Sequence, residues 1–358
     1  MILNVSRAKA FQECRVRNYN WDELRLVGFR EADALLKGGA FHTGAALWFA
    51  KKNLNEAANA AEQHYRKGME GVMLLPEEVP IIEQNIEFCR RMIEKYAEHY
   101  RNDDIQVLMP EVKFCIPLED TTHHCWYFHR LLHPDDPHKN DYDEYAQLVP
   151  KAYTKGSSNR CEDPRCWSPH FFTGRTDAVI SWGNLIWLLE HKTATNTGQI
   201  YYRGYELDKQ TTGYIWGIWK QTGLRPHGFL LNVIKKPNAN VAKSNPFQIT
   251  FEREPFIRSD ATLEAWVKDF KRLARDYEYA HRTGNLYKNE DSCTNWNRVC
   301  QYHEMCKSER KAEPGEFKIR LNDYVNDYYY TLLDLPIPTP PVTSEPTLQL
   351  DERYERFV

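Results

Sequence analysis

The chain has 358 residues, which is enough for one large domain with insertions or for two modest ones. An apolar fraction of 42% with 13% aromatic residues excludes a disordered chain. The net charge of −3 excludes a uniformly basic nucleic-acid coat, so binding of nucleic acid would need a local basic groove or bound metal ions.

The N-terminal residues 1–14 lack the apolar segment of a signal peptide, and no apolar run approaches the roughly 18–20 residues that span a bilayer. We therefore expect an intracellular, cytoplasmic protein of a prokaryotic or phage-infected host, with no membrane partner. Nine cysteines in a reducing compartment are not readily explained as disulfides, so some of them are candidates for binding metal.

The first half of the chain changes from a helical to a strand-like pattern. Ala, Leu, Glu and Lys dominate residues 31–101 and predict two helical stretches, separated by Pro76 and Pro80. Residues 107–116 predict one strand, with Pro110 at an edge or bulge. The Pro, Asp and Ser clusters of residues 133–169 predict a long surface insertion.

Two apolar runs, residues 176–180 and 185–190, are separated by Gly183-Asn184 and predict a β-hairpin. Beyond it, the pattern predicts a helix over 207–220, a strand over 227–234 and a helix over 262–282. The tail from Leu335, with Pro336, Pro338, Pro340 and Pro341, predicts an extended or disordered segment.

Asp177, Glu190 and Lys192 form the constellation that points to chemistry. Residues two apart in a strand share a face, so Glu190 and Lys192 project together, and hairpin pairing would bring Asp177 beside Glu190. Two carboxylates suit Mg²⁺ or Mn²⁺, and a lysine beside them can position water and offset phosphate charge. A solvated cross-strand pair is the alternative. The preceding run 185–189 is apolar enough to be buried, where unpaired charges are costly, and this favours function.

The segments GRTDAVI (174–180) and LLEHKTA (188–194) resemble the PD-(D/E)XK nuclease superfamily, in particular its RecB-like branch. That branch includes the AddAB and RecBCD nuclease domains, CRISPR-associated nucleases and phage exonucleases. Three further segments are similar to motifs of the branch in the same chain order: residues 6–14, GGAFH (38–42) and QTTGY (210–214). The resemblance extends, with gaps, from Ser6 to Cys306.

The resemblance implies an α/β fold of the restriction-endonuclease type, with a mixed central sheet flanked by helices. It implies that Mg²⁺ or Mn²⁺ is held by four groups: His42, Asp177, Glu190 and the backbone carbonyl of His191. Lys192 would position the attacking water, and Gln210 and Tyr214 would orient the DNA backbone or the lysine. Taken singly, a histidine in the position of His42 is more often a surface or capping residue than a ligand. Gln210 and Tyr214, one helical turn apart, are equally what a surface pair would be. Glu111 matches an acidic position of the family and is a candidate supporting carboxylate.

Cys293, Cys300 and Cys306 lie in a C-x6-C-x5-C pattern near the C-terminal end of the resemblance. Together with Cys14 they resemble the four ligands of the [4Fe–4S] cluster in iron–sulfur members of the branch, which would tie the two ends of the chain together. Many relatives have only two residues between the first two of these downstream cysteines. Zn²⁺ and incidental thiols are the alternatives. The other cysteines are interpreted as core or incidental residues: Cys89, Cys115, Cys125, Cys161 and Cys166; the last two are also weighed as part of a second metal site.

These inferences predict a helical N-terminal part (1–105), a nuclease core (106–235), a C-terminal helix and cysteine cluster (236–312) and a Pro-rich extension (313–358). The predicted function is metal-dependent cleavage of DNA, with single strands or ends as the expected substrate. The expected role is in recombination, repair or phage DNA processing, with a recombination or helicase protein as a candidate partner. A catalytically silent DNA-binding scaffold and a zinc-binding interaction protein are the rival interpretations.

Overall fold

The computed structural model describes residues 2–118, 170–295, 298–313 and 315–319. The helices are α1 (Val5–Glu13), α2 (Arg15–Asp22), α3 (Asp33–Lys51), α4 (Leu54–Gly68), α5 (Val79–His99), α6 (Gln199–Glu206), α7 (Lys209–Thr222), α8 (Ala239–Ser244), α9 (Asp260–Thr283) and α10 (His303–Lys307). The strands are β1 (Ile2–Leu3), β2 (Leu26–Val27), β3 (Gln106–Pro110), β4 (Lys113–Pro117), β5 (Phe171–Arg175), β6 (Ala178–Trp182), β7 (Leu185–Ala194), β8 (Gly228–Lys235), β9 (Thr250–Ile257), β10 (Thr294–Asn295), β11 (Arg298–Val299) and β12 (Lys318–Ile319).

A five-stranded mixed sheet in the order β3-β6-β7-β8-β9 forms the centre of the fold. The β7–β8 pair is parallel and the other three pairs are antiparallel. The predicted hairpin is confirmed: β6 and β7 meet at Gly183 and Asn184, both with positive φ, which a tight two-residue turn requires. The parallel pair needs a crossover, which α6 and α7 provide.

Alternate side chains of the central strands point to opposite faces of the sheet, as the two-residue period of a strand requires, and both faces are buried. Val179 and Leu188 belong to the core that includes Trp266 of α9. Ala178 and Leu189 face the other way and pack against Phe49 of α3. The predicted α/β fold, a mixed sheet flanked by helices, is therefore confirmed.

A smaller sheet, in the order β1-β5-β4, connects the start of the chain to β5 and β4. Ile2 and Leu3 pair in parallel with Phe171 and Phe172. Phe11 of α1 is 2% exposed and packs against a ring of α9, Tyr277. The N-terminal segment is thus part of the main core.

The single strand predicted for residues 107–116 is wrong, because the structure has two strands in different sheets. β3 pairs with β6 at the edge of the central sheet, and β4 pairs with β5. The chain changes direction at Glu111, whose φ is +46°, and its N–H donates to the carbonyl of Asp177 at 2.8 Å. Pro110 ends the edge strand, a position compatible with its missing N–H.

The two helical stretches predicted for residues 31–101 are three helices in the structure. A left-handed Lys52 ends α3, and the side chain of Asn53 caps α4 by accepting from the N–H of Glu56. Pro80 does not separate two helices, because it lies in the first turn of α5. Backbone N–H groups in a first turn have no acceptor within the helix, so a proline costs no hydrogen bond there. The predicted helices near 207–220 and 262–282 and the strand near 227–234 are confirmed as α7, α9 and β8.

The sequence patterns did not reveal β5, β9 or α6. The predicted insertion at 133–169, the tail from Leu335 and three cysteines (Cys125, Cys161 and Cys166) lie outside the described residues. Among the helices that the structure describes, none is both long and apolar enough to cross a membrane.

Candidate active site

Asp177 lies directly before β6 and is held by backbone hydrogen bonds on both sides. The N–H of Thr176 donates to the carbonyl of Val112 at 3.0 Å, and the N–H of Glu111 donates to the carbonyl of Asp177 at 2.8 Å. The side chain of Asp177 is 18% exposed. The left-handed turn between β3 and β4 therefore fixes the backbone that carries this carboxylate.

Glu190 and Lys192 project from one face of β7, as the strand period predicts. The Nζ atom of Lys192 lies 2.7 Å from Oε1 of Glu190, whose side chain is only 6% exposed. Burial raises the pKa of Glu190, and Lys192 opposes this rise. Burial alone would lower the pKa of Lys192, but Glu190 outweighs it and the pKa is raised. The lysine therefore stays a cation beside a buried carboxylate.

His42 of α3 contacts the carboxylate of Asp177 from the helical layer. Its Nδ1 atom lies 2.8 Å from Oδ1 of Asp177. Burial acts to lower the pKa of His42, but Asp177 outweighs it and the pKa is raised. Gly39, earlier in the same motif, lets α3 pack closely, because a Cβ atom there would lie 2.4 Å from Nε2 of His64 on α4.

His191 contributes a side chain that the sequence analysis did not predict, since only its carbonyl was expected in the site. Its backbone N–H donates to Oδ2 of Asp177 at 2.7 Å, and its ring Nδ1 lies 3.2 Å from the same oxygen. Its Nε2 lies 3.0 Å from the hydroxyl of Tyr96 on α5. Burial lowers the pKa of His191, which favours a neutral ring. The carbonyl of His191 as a ligand stays a prediction.

Asp177 is the centre of this network, and its surroundings keep it ionised. Burial acts to raise its pKa, but His42 and the hydrogen bond from His191 outweigh burial and hold the pKa well below its usual range. One ligand atom each of His42, Asp177 and His191 lies within 4.8 Å of the others, a spacing that can hold a metal ion. Carboxylates are the ligands that Mg²⁺ and Mn²⁺ prefer, and Asp177 is the carboxylate of this group.

Gln210 and Tyr214 share one face of α7, where the Nε2 of Gln210 donates to the Tyr214 hydroxyl at 2.8 Å. Burial, followed by the charge of Glu190, raises the pKa of Tyr214 to about 12. Gly174 of the GRTD segment makes room for the tyrosine, because a Cβ atom there would lie 2.6 Å from Cε1 of Tyr214.

Glu111 lies beside the site rather than at its centre. Its carboxylate is 3.7 Å from Nη1 of Arg175, and its backbone supports Asp177 as described above. A supporting role for the Glu111 side chain stays a prediction.

The four cysteines that were predicted to act together line one cavity of about 480 Å³: Cys14, Cys293, Cys300 and Cys306. Cys14 joins α1 to α2, and its Sγ accepts from the N–H of Arg17 at 3.5 Å. The N–H of Cys300 donates to the carbonyl of Cys293 at 2.7 Å, which closes a turn between the two downstream thiols. Burial raises the pKa of Cys293 and of Cys306.

Cys89 and Cys115 are buried at 0% and 8% exposure, which confirms that both are core residues. Burial raises the pKa of each thiol to about 12, so neither is a reactive thiolate.

A mixed sheet that presents two carboxylates and a lysine to one site defines a class of α/β enzymes acting on phosphodiesters. The chain matches the family model of the PD-(D/E)XK nuclease superfamily over residues 2–307 and belongs to that superfamily. It is accordingly a nuclease.

Two solved structures share low similarity with the chain. SSO0001 is 12% identical, with 87% of each chain covered and a TM-score of 0.34. A protein from Eubacterium rectale, provisionally described as an exonuclease, is 11% identical, with 87% of this chain and 90% of that chain covered and a TM-score of 0.41. A comparison with curated proteins found no match. The family assignment therefore rests on the family match.

Proposed function

We propose that this nuclease hydrolyses phosphodiester bonds of DNA at Asp177, Glu190 and Lys192 with a divalent metal ion, Mg²⁺ or Mn²⁺. The observation that carries the proposal is the position of these three residues at one end of the β6–β7 pair. The hairpin register pairs Ala178 with Leu189, so Asp177 comes opposite Glu190, and Glu190 pairs with Lys192 at 2.7 Å. The Glu190 carboxylate is only 6% exposed, whereas the carboxylate of an ordinary surface ion pair stays in contact with water.

We assign different roles in hydrolysis to the residues of the site. Asp177 and Glu190 would hold the metal, together with His42 and the carbonyl of His191. A bound divalent ion would lower the pKa of a water and stabilise charge on the phosphate. Lys192, kept cationic by Glu190, would hold the attacking water and offset charge that develops in the transition state.

Gln210 and Tyr214 would act on the substrate rather than on the metal. Their hydrogen-bonded pair lies on one face of α7. We infer that they orient the DNA backbone or Lys192, and that their loss weakens cleavage less than loss of Asp177.

The substrate we propose is DNA in single strands or at ends, as the resemblance to the RecB-like branch implies. The test uses end-labelled single-stranded DNA, double-stranded DNA and RNA of one sequence, each with Mg²⁺, Mn²⁺ or EDTA. Cleavage of DNA that needs the metal supports the proposal. DNA binding without cleavage in either metal would instead support the catalytically silent scaffold. A role in recombination, repair or phage DNA processing, with a helicase or recombination partner, stays a prediction.

We propose further that the four cysteines around the C-terminal cavity hold a [4Fe–4S] cluster. Four thiolates are what such a cluster needs, and the four cysteines line one cavity of about 480 Å³. A tetrahedral zinc site of four thiolates is the alternative.

The cluster would act as a clamp, because Cys14 lies in the N-terminal segment and its three partners near residue 300. Anaerobically purified protein tests the assignment through its metal content. Iron with acid-labile sulfide supports the cluster, whereas zinc without sulfide would support the zinc-binding alternative for this cavity.

A further inference from the structure

A chain of hydrogen bonds leads from α5 through His191 to Asp177, and its first member has no part in the chemistry proposed above. The hydroxyl of Tyr96 lies 3.0 Å from Nε2 of His191, and Nδ1 of His191 lies 3.2 Å from Oδ2 of Asp177. Tyr96 is 2% exposed and His191 is 1% exposed. Water has little access to replace either contact, so the three groups must satisfy one another.

With the neutral ring that burial favours, the chemistry of the three groups permits one arrangement of protons. An ionised carboxylate only accepts hydrogen bonds, so Nδ1 of His191 must carry the ring proton that faces Asp177. A neutral imidazole has one N–H, which leaves Nε2 as an acceptor. The Tyr96 hydroxyl donates to that acceptor. The opposite tautomer would turn a lone pair of Nδ1 toward Oδ2 of Asp177.

We propose that Tyr96 is a positioning residue, which holds His191 in the Nδ1–H tautomer as a donor to Oδ2 of Asp177. His191 then contributes no ring nitrogen to the metal, although its ring lies close enough to do so. Its two donors, the backbone N–H and Nδ1–H, fix one carboxylate oxygen of Asp177. The other oxygen, Oδ1, is left facing His42, on the side where we place the metal.

Packing around the ring supports this assignment. The ring of His191 is enclosed by aromatic side chains, with centroid distances of 5.2 Å to Phe41, 5.4 Å to Tyr96 and 5.9 Å to Phe49. A ring held on these sides cannot rotate freely to present Nε2 to Asp177. The fold therefore fixes, without a metal ion, that Nδ1 faces Asp177 and Nε2 faces Tyr96.

The consequence for metal binding rests on the proposed function, because it treats Asp177 as a ligand. Loss of a hydrogen bond behind a ligand commonly lowers metal affinity by 10–100-fold. Because Tyr96 acts through one intervening residue, we expect Tyr96→Phe to weaken Mn²⁺ binding by about 10-fold. The proton arrangement of His191 does not depend on the proposed function.

The experiment uses the full chain with ¹⁵N-labelled histidine and three variants. Tyr100→Phe is the matched control, because Tyr100 follows α5, is partly buried and donates to Oδ1 of Asn232 at 2.6 Å. His191→Asn keeps an N–H donor near the Nδ1 position but needs no partner at Nε2. The measurements are the histidine ¹⁵N spectrum without metal, Mn²⁺ affinity by calorimetry, and the unfolding midpoint.

The wild-type spectrum should show His191 protonated at Nδ1. Tyr96→Phe should shift the Nε2 resonance toward that of a free unprotonated nitrogen and weaken Mn²⁺ binding, whereas Tyr100→Phe should do neither. In the His191→Asn background, Tyr96→Phe should change Mn²⁺ affinity less than about twofold, because the link between the two residues is gone.

An Nε2-protonated His191 in the wild type would overturn the proposal. Equal Mn²⁺ affinities for Tyr96→Phe and the wild type would also overturn it, as would equal losses in Tyr96→Phe and Tyr100→Phe. Failure of the proposed nuclease site looks different, because the wild type would then neither bind Mn²⁺ at Asp177 nor cleave DNA, while the histidine spectrum would still report the tautomer.

Discussion

Replacing Gly174 by alanine should disturb the site through packing alone, without removing any polar group. Gly174 lies in β5 opposite Phe114. A Cβ atom there would lie 2.4 Å from Cζ of Phe114 and 2.6 Å from Cε1 of Tyr214. Both distances are far inside the 3.5–4.0 Å of ordinary contact between carbon atoms, so at least one ring has to move.

The structure indicates which ring moves and how large the cost is. Phe114 is 2% exposed, and α7 passes so close that a Cβ atom on Gly217 would also lie 2.4 Å from its ring. Phe114 has little room to retreat, so Tyr214 is displaced and its hydrogen bond from Gln210 at 2.8 Å is weakened. Overpacking of this kind lowers the free energy of unfolding by about 1–3 kcal/mol. Cleavage should fall as well, because Tyr214 is displaced from the position in which we propose that it orients the substrate.

Urea unfolding and single-turnover DNA cleavage measure the two effects separately. Gly204→Ala in α6 is the matched control, because an added Cβ atom there meets nothing within 4 Å. That change should be neutral or raise the free energy of unfolding by about 0.4–1 kcal/mol. If Gly174→Ala unfolds and cleaves like the wild type, the close packing of Tyr214 against β5 is refuted.

Lys192→Ala should abolish cleavage but leave Mn²⁺ affinity largely intact, since a protonated lysine is a poor ligand; a collapse of affinity in calorimetry would contradict this division of roles. Cys14→Ala should bleach the absorption near about 400 nm expected of iron–sulfur protein and lower the unfolding midpoint, whereas Cys89→Ala should keep the colour. Because Asp177 raises the pKa of His42, the stability that His42 adds to metal-free protein should be complete below about pH 6.5 and decline at higher pH. The difference in unfolding free energy between wild type and His42→Gln should shrink accordingly, and a difference that grows with pH would contradict the sign.

The heart of the site could be predicted because it is local. The turn at Gly183-Asn184 and the two-residue period of a strand are enough to bring Asp177 beside Glu190 and to place Lys192 on the same face. The order of the remaining motifs along the chain supplied His42, Gln210 and Tyr214 through resemblance alone. The structure adds the 2.8 Å distance from His42 to Asp177 and the 2.8 Å hydrogen bond from Gln210 to Tyr214.

The break at Glu111 could not be predicted, because it depends on a contact made elsewhere in the chain. Residues 107–116 alternate well enough for one strand, and glutamate has no intrinsic preference for positive φ. What stabilises the turn is the hydrogen bond to the carbonyl of Asp177, which exists only after β6 has paired with β3.

The contact of Tyr96 with His191 and the strand β9 could not be predicted from the sequence for a related reason. Tyr96 lies 95 residues before His191, and nothing in the pattern of α5 distinguishes it from an ordinary core tyrosine. β9 is an edge strand with three charged residues and a proline, so its composition does not resemble that of a buried strand. Both are determined by tertiary packing rather than by local propensity.

The most direct test of the central claim is metal-dependent cleavage by the wild type and Asp177→Ala. Asp276→Ala, which removes an exposed partner of Arg15, is the control for loss of an acidic side chain. With end-labelled single-stranded DNA and Mn²⁺, the wild type and the control should cleave, and EDTA should stop both. Asp177→Ala should lose at least about a hundredfold in rate while keeping the wild-type unfolding midpoint to within a few degrees. Cleavage by Asp177→Ala near the wild-type rate would contradict the assignment of the active site.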